Sequence, residues 1–465
     1  MRIFLATLLS FGSAVAYGQF VDITAALNYQ VVNSANKPLP GLASTITTET
    51  DTVSGPTTNS SGSILIPPMN VPFYLGLVAN NVVQTYFWEP TWNPRKLVVT
   101  ENSAADYVQV SGTAEGFNTK NYDGEVDFAI IVSPFRKADL LTFDLRKLLS
   151  DETDTIPIYT SKFDVPSNLS LPKQTELYVL PVKLNKPGFR LNPPKEPTTS
   201  LYALRGHFNL KQVIAGSGGS SDETYKLLNY LKLKGGGLAS FTPEQLTKPL
   251  VMPVNQIDFT LVKSVPLPTL NADEVLFLLG LSKKEEFYLP SDMKLVGTGT
   301  QANVNFIPES SPYVAYVVKR NSEFASSRAT GLDRLSLQLS QVGSTTPVTP
   351  IPLIDDPVLS GDRNTITTQI PTSPPSLKSR RQLIMISSIT EVEKNGRTVK
   401  KYDKVMQLWF QDWKSEVQLP RPLDEVCIRC RIDVTLMGTN EATATTDELE
   451  WVGKATHVSH VSIEP

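Results

Sequence analysis

Pro157, Pro166, Pro172, Pro181, Pro187, Pro193 and Pro194 recur faster than any regular helix tolerates, because each removes a backbone donor and fixes φ. Such spacing leaves short strands and loops. The apolar pattern around it agrees: residues 96–100 and 107–111 read as strands, and in 124–132 the near-continuous Val-Asp-Phe-Ala-Ile-Ile-Val predicts a strand buried on both faces. Residues 138–149 fit either a short helix, with Leu140, Leu141, Leu145, Leu148 and Leu149 on one side, or a strand through Thr142-Phe143-Asp144-Leu145. Two further helices are predicted. One spans 222–232, opened by Ser220 and Glu223 as a capping box and closed by Gly235-Gly236-Gly237; the other runs from Asn271, an N-cap with Glu274 three residues on, to Leu281. Strand character returns at 294–296, 302–306, 313–319 and 334–342. The stretch 343–375, rich in Pro, Ser and Thr, predicts long irregular loops, with Ile351, Leu353 and Ile354 apolar enough to cover a core. Beyond it, 382–389, the turn Asn395-Gly396 and 404–410 read as a hairpin, followed by strands at 416–419, 427–436 and 456–463.

Residues 29–67 carry the most specific spacing. A strand through Val31 and Val32 meets Lys37-Pro38-Leu39-Pro40-Gly41, which must turn. A Thr-rich strand follows, then a polar tip at Asn59-Ser60-Ser61-Gly62 before Ser63-Ile64-Leu65-Ile66. The pattern resembles the carboxypeptidase regulatory-like (prealbumin-type) β-sandwich module, whose turn reads G-K-P-L-P-G-A and whose tip reads T-D-x-x-G-x-F. Here Leu42 stands for the usual Ala, and Asn59 stands near where Asp is common. The resemblance covers about the first fifth of the mature chain and implies a non-catalytic spacer or binding module, a statement about fold more than function. By strand spacing alone, the C-terminal part is similar to a fibronectin- or immunoglobulin-like sandwich.

Met1-Arg2, the apolar run 3–11 and Gly12-Ser13-Ala14-Val15-Ala16 form the three parts of a secretory signal peptide, with cleavage expected after Ala16 or Gly18. Nothing later approaches the length of a membrane span; Val275 to Leu281 is the most apolar run and is far too short. A net charge of -3 argues against nucleic acid as a partner. Only two cysteines, Cys427 and Cys430, are present, fewer than a secreted eukaryotic chain of this size usually carries, which favours a bacterial envelope or surface.

Candidate chemistry is sparse. Tyr86, Trp88 and Trp92 form an aromatic cluster that reads either as a speculative sugar-binding platform or as core closing between domains. Cys427 and Cys430, in a C-x-x-C without a βαβ unit or a second such pair, are read first as a disulfide and next as free thiols. Three residues apart, they need a bulge or turn to meet. His457 and His460 on one strand point to opposite faces and do not suggest a metal pair. His207 has no recognisable nucleophile context. Acidic clusters at 151–154 and at Asp355, Asp356 and Asp362 lack EF-hand spacing and read as solvated loops. The glycine run at 216–221 lacks the ending of a phosphate-binding loop. Lys394, Arg397, Lys400 and Lys401 read as a charged edge that blocks strand association. The sequons at Asn59 and Asn168 matter only in a eukaryotic host.

The resulting expectation is a mainly β chain of several consecutive β-sandwich domains with a few short helices in a central insert. The units are a signal peptide at 1–16, a carboxypeptidase regulatory-like sandwich at 20–100, a central β-rich domain at 101–290, and a C-terminal sandwich at 291–465. The expected role is that of an exported, non-enzymatic envelope or surface protein with a protein or glycan partner, without catalytic residues, metal or cofactor. The alternative is a secreted carbohydrate-active enzyme or its binding accessory module.

Overall fold

The computed structural model describes residues 26–465 except 34–35, 80–82, 89–95, 101–106, 118–124, 142–147, 149, 151, 159–160, 175–183, 195, 210–211, 213–230, 298, 324–333, 395–396 and 443–447. The fold is mainly β. Its spine is a 12-stranded sheet that joins both ends of the chain. Across the sheet lie Phe287–Val296, Glu274–Lys284, Ser311–Arg320, Arg334–Gln341, His457–Ile463, Cys430–Thr439, Ser379–Lys394, Arg397–Phe410, Gln84–Trp88, Tyr74–Val78, Ala43–Thr47 and Thr52–Ser54. Every pairing is antiparallel except one. Arg397–Phe410 runs parallel to Gln84–Trp88, in register from Met406 opposite Gln84 to Trp409 opposite Phe87.

Alternation along these strands sends side chains to two faces. Tyr74, Tyr86, Met406, Leu408 and Phe410 enter one core, while Leu75, Leu77 and Phe87 enter another on the opposite face. The second core is closed by a three-stranded sheet of Ser63–Ile66, Leu27–Asn33 and Lys96–Val99. The N-terminal stretch is thus a sandwich, and one of its two sheets is continuous with the C-terminal strands. Its turns follow the residues that the sequence singled out. Asn36 and Gly41 hold positive φ (59° and 75°), and Gly62 does so (74°) where a Cβ would meet Val31 O at 2.8 Å. Asn59 closes the tip by accepting from the Ser61 and Ser63 amides at 3.0 and 2.9 Å.

A six-stranded sheet packs over the other end of the spine: Leu184–Lys186, Leu169–Gln174, Glu125–Val132, Thr199–Asn209, Lys232–Phe241 and Ile257–Asp258. Glu125–Val132 is buried on both faces, with Val126, Phe128, Ile130 and Val132 toward the spine and Ala129 and Ile131 in a separate core behind it.

Two expectations need correction. Asn271 and Glu274 do bond as a capping pair does, with the Asn271 amide donating to Glu274 Oε2 at 2.9 Å, yet Glu274–Lys284 is a strand. Both faces of that run are buried, Phe277 and Leu279 in one core and Leu276 and Leu278 in another, which a strand allows and a one-sided helix does not. Gly235-Gly236-Gly237 lies inside a strand and caps no helix; a Cβ on Gly236 would meet Ala203 O at 2.1 Å and one on Gly237 would meet Pro253 O at 1.9 Å. Of residues 138–149, the helical part is Lys137–Leu141, and 142–147 lie outside the described residues, as does 222–230 of the other expected helix.

Residues 343–356 form a strap across the spine. Ile351 and Ile354 are fully buried. Gln338 donates to Pro347 O at 3.1 Å, Ser459 to Pro352 O at 2.9 Å, and Ser336 to Ile351 O.

At the parallel seam, Gln407 donates to the buried Thr85 hydroxyl at 2.8 Å and accepts from Thr100 at 3.3 Å. Gln407→Leu leaves these hydroxyls without their partner and is expected to cost roughly 1–3 kcal/mol, with Gln407→Leu/Thr85→Val recovering part of it. Urea unfolding of the single and double variants measures both.

Candidate functional site

The parallel ladder ends at Trp409 and Phe87. The next residues, Phe410 and Trp88, line a cleft of about 430 Å³ between the tight loop after Ala43–Thr47 and the segment 414–422. Tyr74 lies beneath them. Its ring meets Trp88 edge-on at 4.7 Å and Phe410 at 6.2 Å, and its hydroxyl donates to Gln418 O at 2.7 Å. Burial pushes the Tyr74 phenol well above its ordinary range. Burial also raises Tyr86, opposed by the nearby charge of Arg421. The rim carries both signs of charge, with Lys414 and Arg421 facing Asp51 and Glu416.

Of the three rings singled out from sequence, Tyr86 is buried in the core, 6.4 Å from Tyr74, and offers no face to a ligand. Trp88 is partly buried and lines the cleft, with its Nε1 lacking a hydrogen-bond partner among the described residues. Trp92 lies outside the described residues, as does the signal-peptide stretch 1–16. Tyr74, Phe410, Lys414, Glu416 and Arg421 were not singled out from sequence. No local pattern marks them, because what gathers them is a seam between residues 84–87 and 406–409, far apart in the chain.

Cys427 ends the short helix Leu423–Val426 and Cys430 opens the strand Cys430–Thr439; the two are bonded, with Cα atoms 5.6 Å apart. The loop between them turns outward, leaving Ile428 94% exposed. The histidines do not converge. His457 is fully buried and shares a hydrogen bond with Thr456 at 2.8 Å, whereas His460 contacts Thr435 at 2.9 Å and Ser462 at 3.1 Å. His207 sits 3.4 Å from Glu125, and burial, helped by Lys234, lowers it. Among the described residues no three His, Cys, Asp or Glu side chains are grouped as metal ligands.

The acidic clusters are engaged by cations: Asp154 pairs with Lys186 at 3.1 Å and Arg190 at 2.8 Å, Asp355 with Arg320 at 2.7 Å, and Asp356 with Arg334. Asp362, held low by the Ser360 hydroxyl, serves its own turn. Asn168 is buried, with Nδ2 donating to Ile131 O at 3.0 Å and Leu148 O at 2.9 Å, so it presents no amide for modification.

No family model matches the chain, and no curated protein sequence matches it. Among solved structures, BcpA, the major pilin subunit of Bacillus cereus, aligns at 10% identity over 63% of this chain and 87% of that chain, with a TM-score of 0.16.

Burial lowers the His457 imidazole from 6.5 to about 4. As acid is added, the unfolded chain therefore takes up this proton before the folded one does. Stability is expected to be full above about pH 6.5 and to fall by roughly 3 kcal/mol as the pH drops to about 4. Urea midpoints across that range, compared with His457→Gln, measure the slope that this residue adds.

Proposed function

We propose that the chain is an exported, non-enzymatic β-sandwich protein of a bacterial envelope or surface, which holds a protein or glycan partner at the Trp88 cleft and otherwise acts as a stiff spacer. The carrying observation is the sheet itself: a single hydrogen-bonded ladder runs from the N-terminal sandwich into the C-terminal strands, leaving the cleft where the seam ends. Clefts where structural units meet are common ligand sites. The units proposed are 20–100, a regulatory-like sandwich; 101–290; and 291–465. Export rests on the charged, apolar and Ala-x-Ala parts of residues 1–16, and a secreted protein beginning at Tyr17 or Gln19 on N-terminal sequencing would support it.

A second reading, a carbohydrate-active enzyme, draws on one observation: Asp51 and Glu416 line the same cleft as Trp88. Both carboxylates sit on exposed positions, open to water rather than held in an apolar wall. The binding role is therefore the stronger reading.

A glycan array with the mature protein tests the cleft. Trp88→Ala/Trp92→Ala, with its fold checked by circular dichroism, is expected to lose at least one of the captured glycans. A folded variant that captures the same glycans with unchanged strength removes sugar recognition from this cleft, and glycan cleavage abolished by Glu416→Gln would establish the enzyme instead.

A further inference from the structure

A second, larger cleft of about 630 Å³ opens where the buried strand Glu125–Val132 emerges beside Thr199–Asn209. Its walls combine three features. At the mouth stands Tyr107, 62% exposed and the one aromatic among the exposed large apolar side chains of the described residues. Inside, short polar side chains alternate with apolar floor: Ser133, Ser150, Asn192 and Thr199 among Val132 and Leu191. Thr199 is buried, its Oγ1 enclosed and, among the described residues, without a hydrogen-bond partner.

The charges of this cleft are already spent within the protein. Arg136 grips Glu196 with two parallel bonds of 2.9 and 3.1 Å, reaches Glu286 at 3.5 Å, and lies over the Phe287 ring at 5.9 Å. The Arg136 amide donates to Asp139 at 2.9 Å. Glu152 accepts from Asn192 at 3.2 Å and lies 3.9 Å from Arg190. A bidentate guanidinium–carboxylate pair is rigid, and an anionic ligand would have to displace a carboxylate to reach Arg136. An uncharged ligand meets no such obstacle. It would be recognised by stacking on an exposed ring and by hydrogen bonds to hydroxyl and amide groups, which both donate and accept, and to carboxylates, which accept. The chemical class that offers one apolar face and many hydroxyls without charge is a neutral saccharide.

The geometry points to a neutral-oligosaccharide site in the Tyr107 cleft, separate from the Trp88 cleft, in which Tyr107 supplies the stacking face and the Asn192 and Glu152 wall reads hydroxyls. The two clefts share no lining residue. This site therefore stands or falls independently of the Trp88 reading.

Isothermal titration of the mature full chain with cellohexaose, maltohexaose and hexa-N-acetylchitohexaose, and with hexagalacturonate as the anionic counterpart, tests it. At least one neutral hexasaccharide is expected to bind, hexagalacturonate is not, and binding persists in Trp88→Ala. Tyr107→Ala, at an exposed position whose loss spares the core, is expected to weaken that binding roughly fivefold to tenfold. Asn192→Ala, at an exposed position, weakens it severalfold without changing the unfolding midpoint. The inference is overturned if no neutral hexasaccharide binds, if hexagalacturonate binds equally well, or if Tyr107→Ala leaves affinity unchanged. Binding lost in Trp88→Ala but kept in Tyr107→Ala also overturns it, and assigns the sugar to the other cleft.

Discussion

The arrangement depends on four residues of parallel ladder, Met406 to Trp409 against Gln84 to Phe87. Parallel pairing is slightly weaker per residue than antiparallel, so a short parallel seam needs help from side chains. It receives help on both faces. Met406 and Leu408 are fully buried on one side, and Trp409 packs between two cores on the other. Between them, the Gln407 amide joins Thr85 and Thr100, and Tyr74 reaches across to Gln418 O at 2.7 Å. Buried amide and hydroxyl groups are costly without partners, so these bonds set register as well as strength.

The same reasoning explains the strap. The spine beneath it presents Ser336, Gln338 and Ser459, all buried. A covering segment must supply acceptors to these donors while bringing few donors of its own. Proline does both, since it keeps its carbonyl and has no N–H. Pro347 and Pro352 serve directly, with Ile351 and Ile354 filling the core between them. Arg334, held against Asp356 and 3.7 Å from Asp355, fastens the far end. A composition that suggests a linker thus belongs here to a lid over a polar sheet face.

Local patterns were legible wherever local physics decides them. The run through Val126 to Val132 is buried on both faces, and Ser379–Lys394 pairs with Arg397–Phe410, Lys394 opposite Arg397. Apolar Ile351 and Ile354 did mark core. Failures arose where one local signal serves two structures. Asn271 and Glu274 make in a turn the bonds they would make at a helix start, and only the sheets on both sides of Leu276 to Leu281 select the strand. A glycine triplet permits either a helix end or close approach of backbones, and here Ala203 O and Pro253 O occupy the space of the missing side chains. Long-range neighbours choose between such alternatives, and a single sequence does not display them.

The candidate cleft was legible only in part for the same reason. Trp88 was visible as an aromatic, but one wall of its environment is made by residues more than three hundred positions away, Phe410 and 414–422, and what brings them together is the end of the seam. Up to Phe87 and Trp409 the two strands share hydrogen bonds, so their side chains pack as sheet neighbours. One residue further the ladder stops, and Trp88 and Phe410 line open space instead of facing each other in register. Tyr74 fills the gap from below, fixed by its bond to Gln418, which leaves Trp88 as the ring that lines the opening. The cleft therefore lies just past the point where the parallel register stops, with both rings on the face that Tyr74 fills.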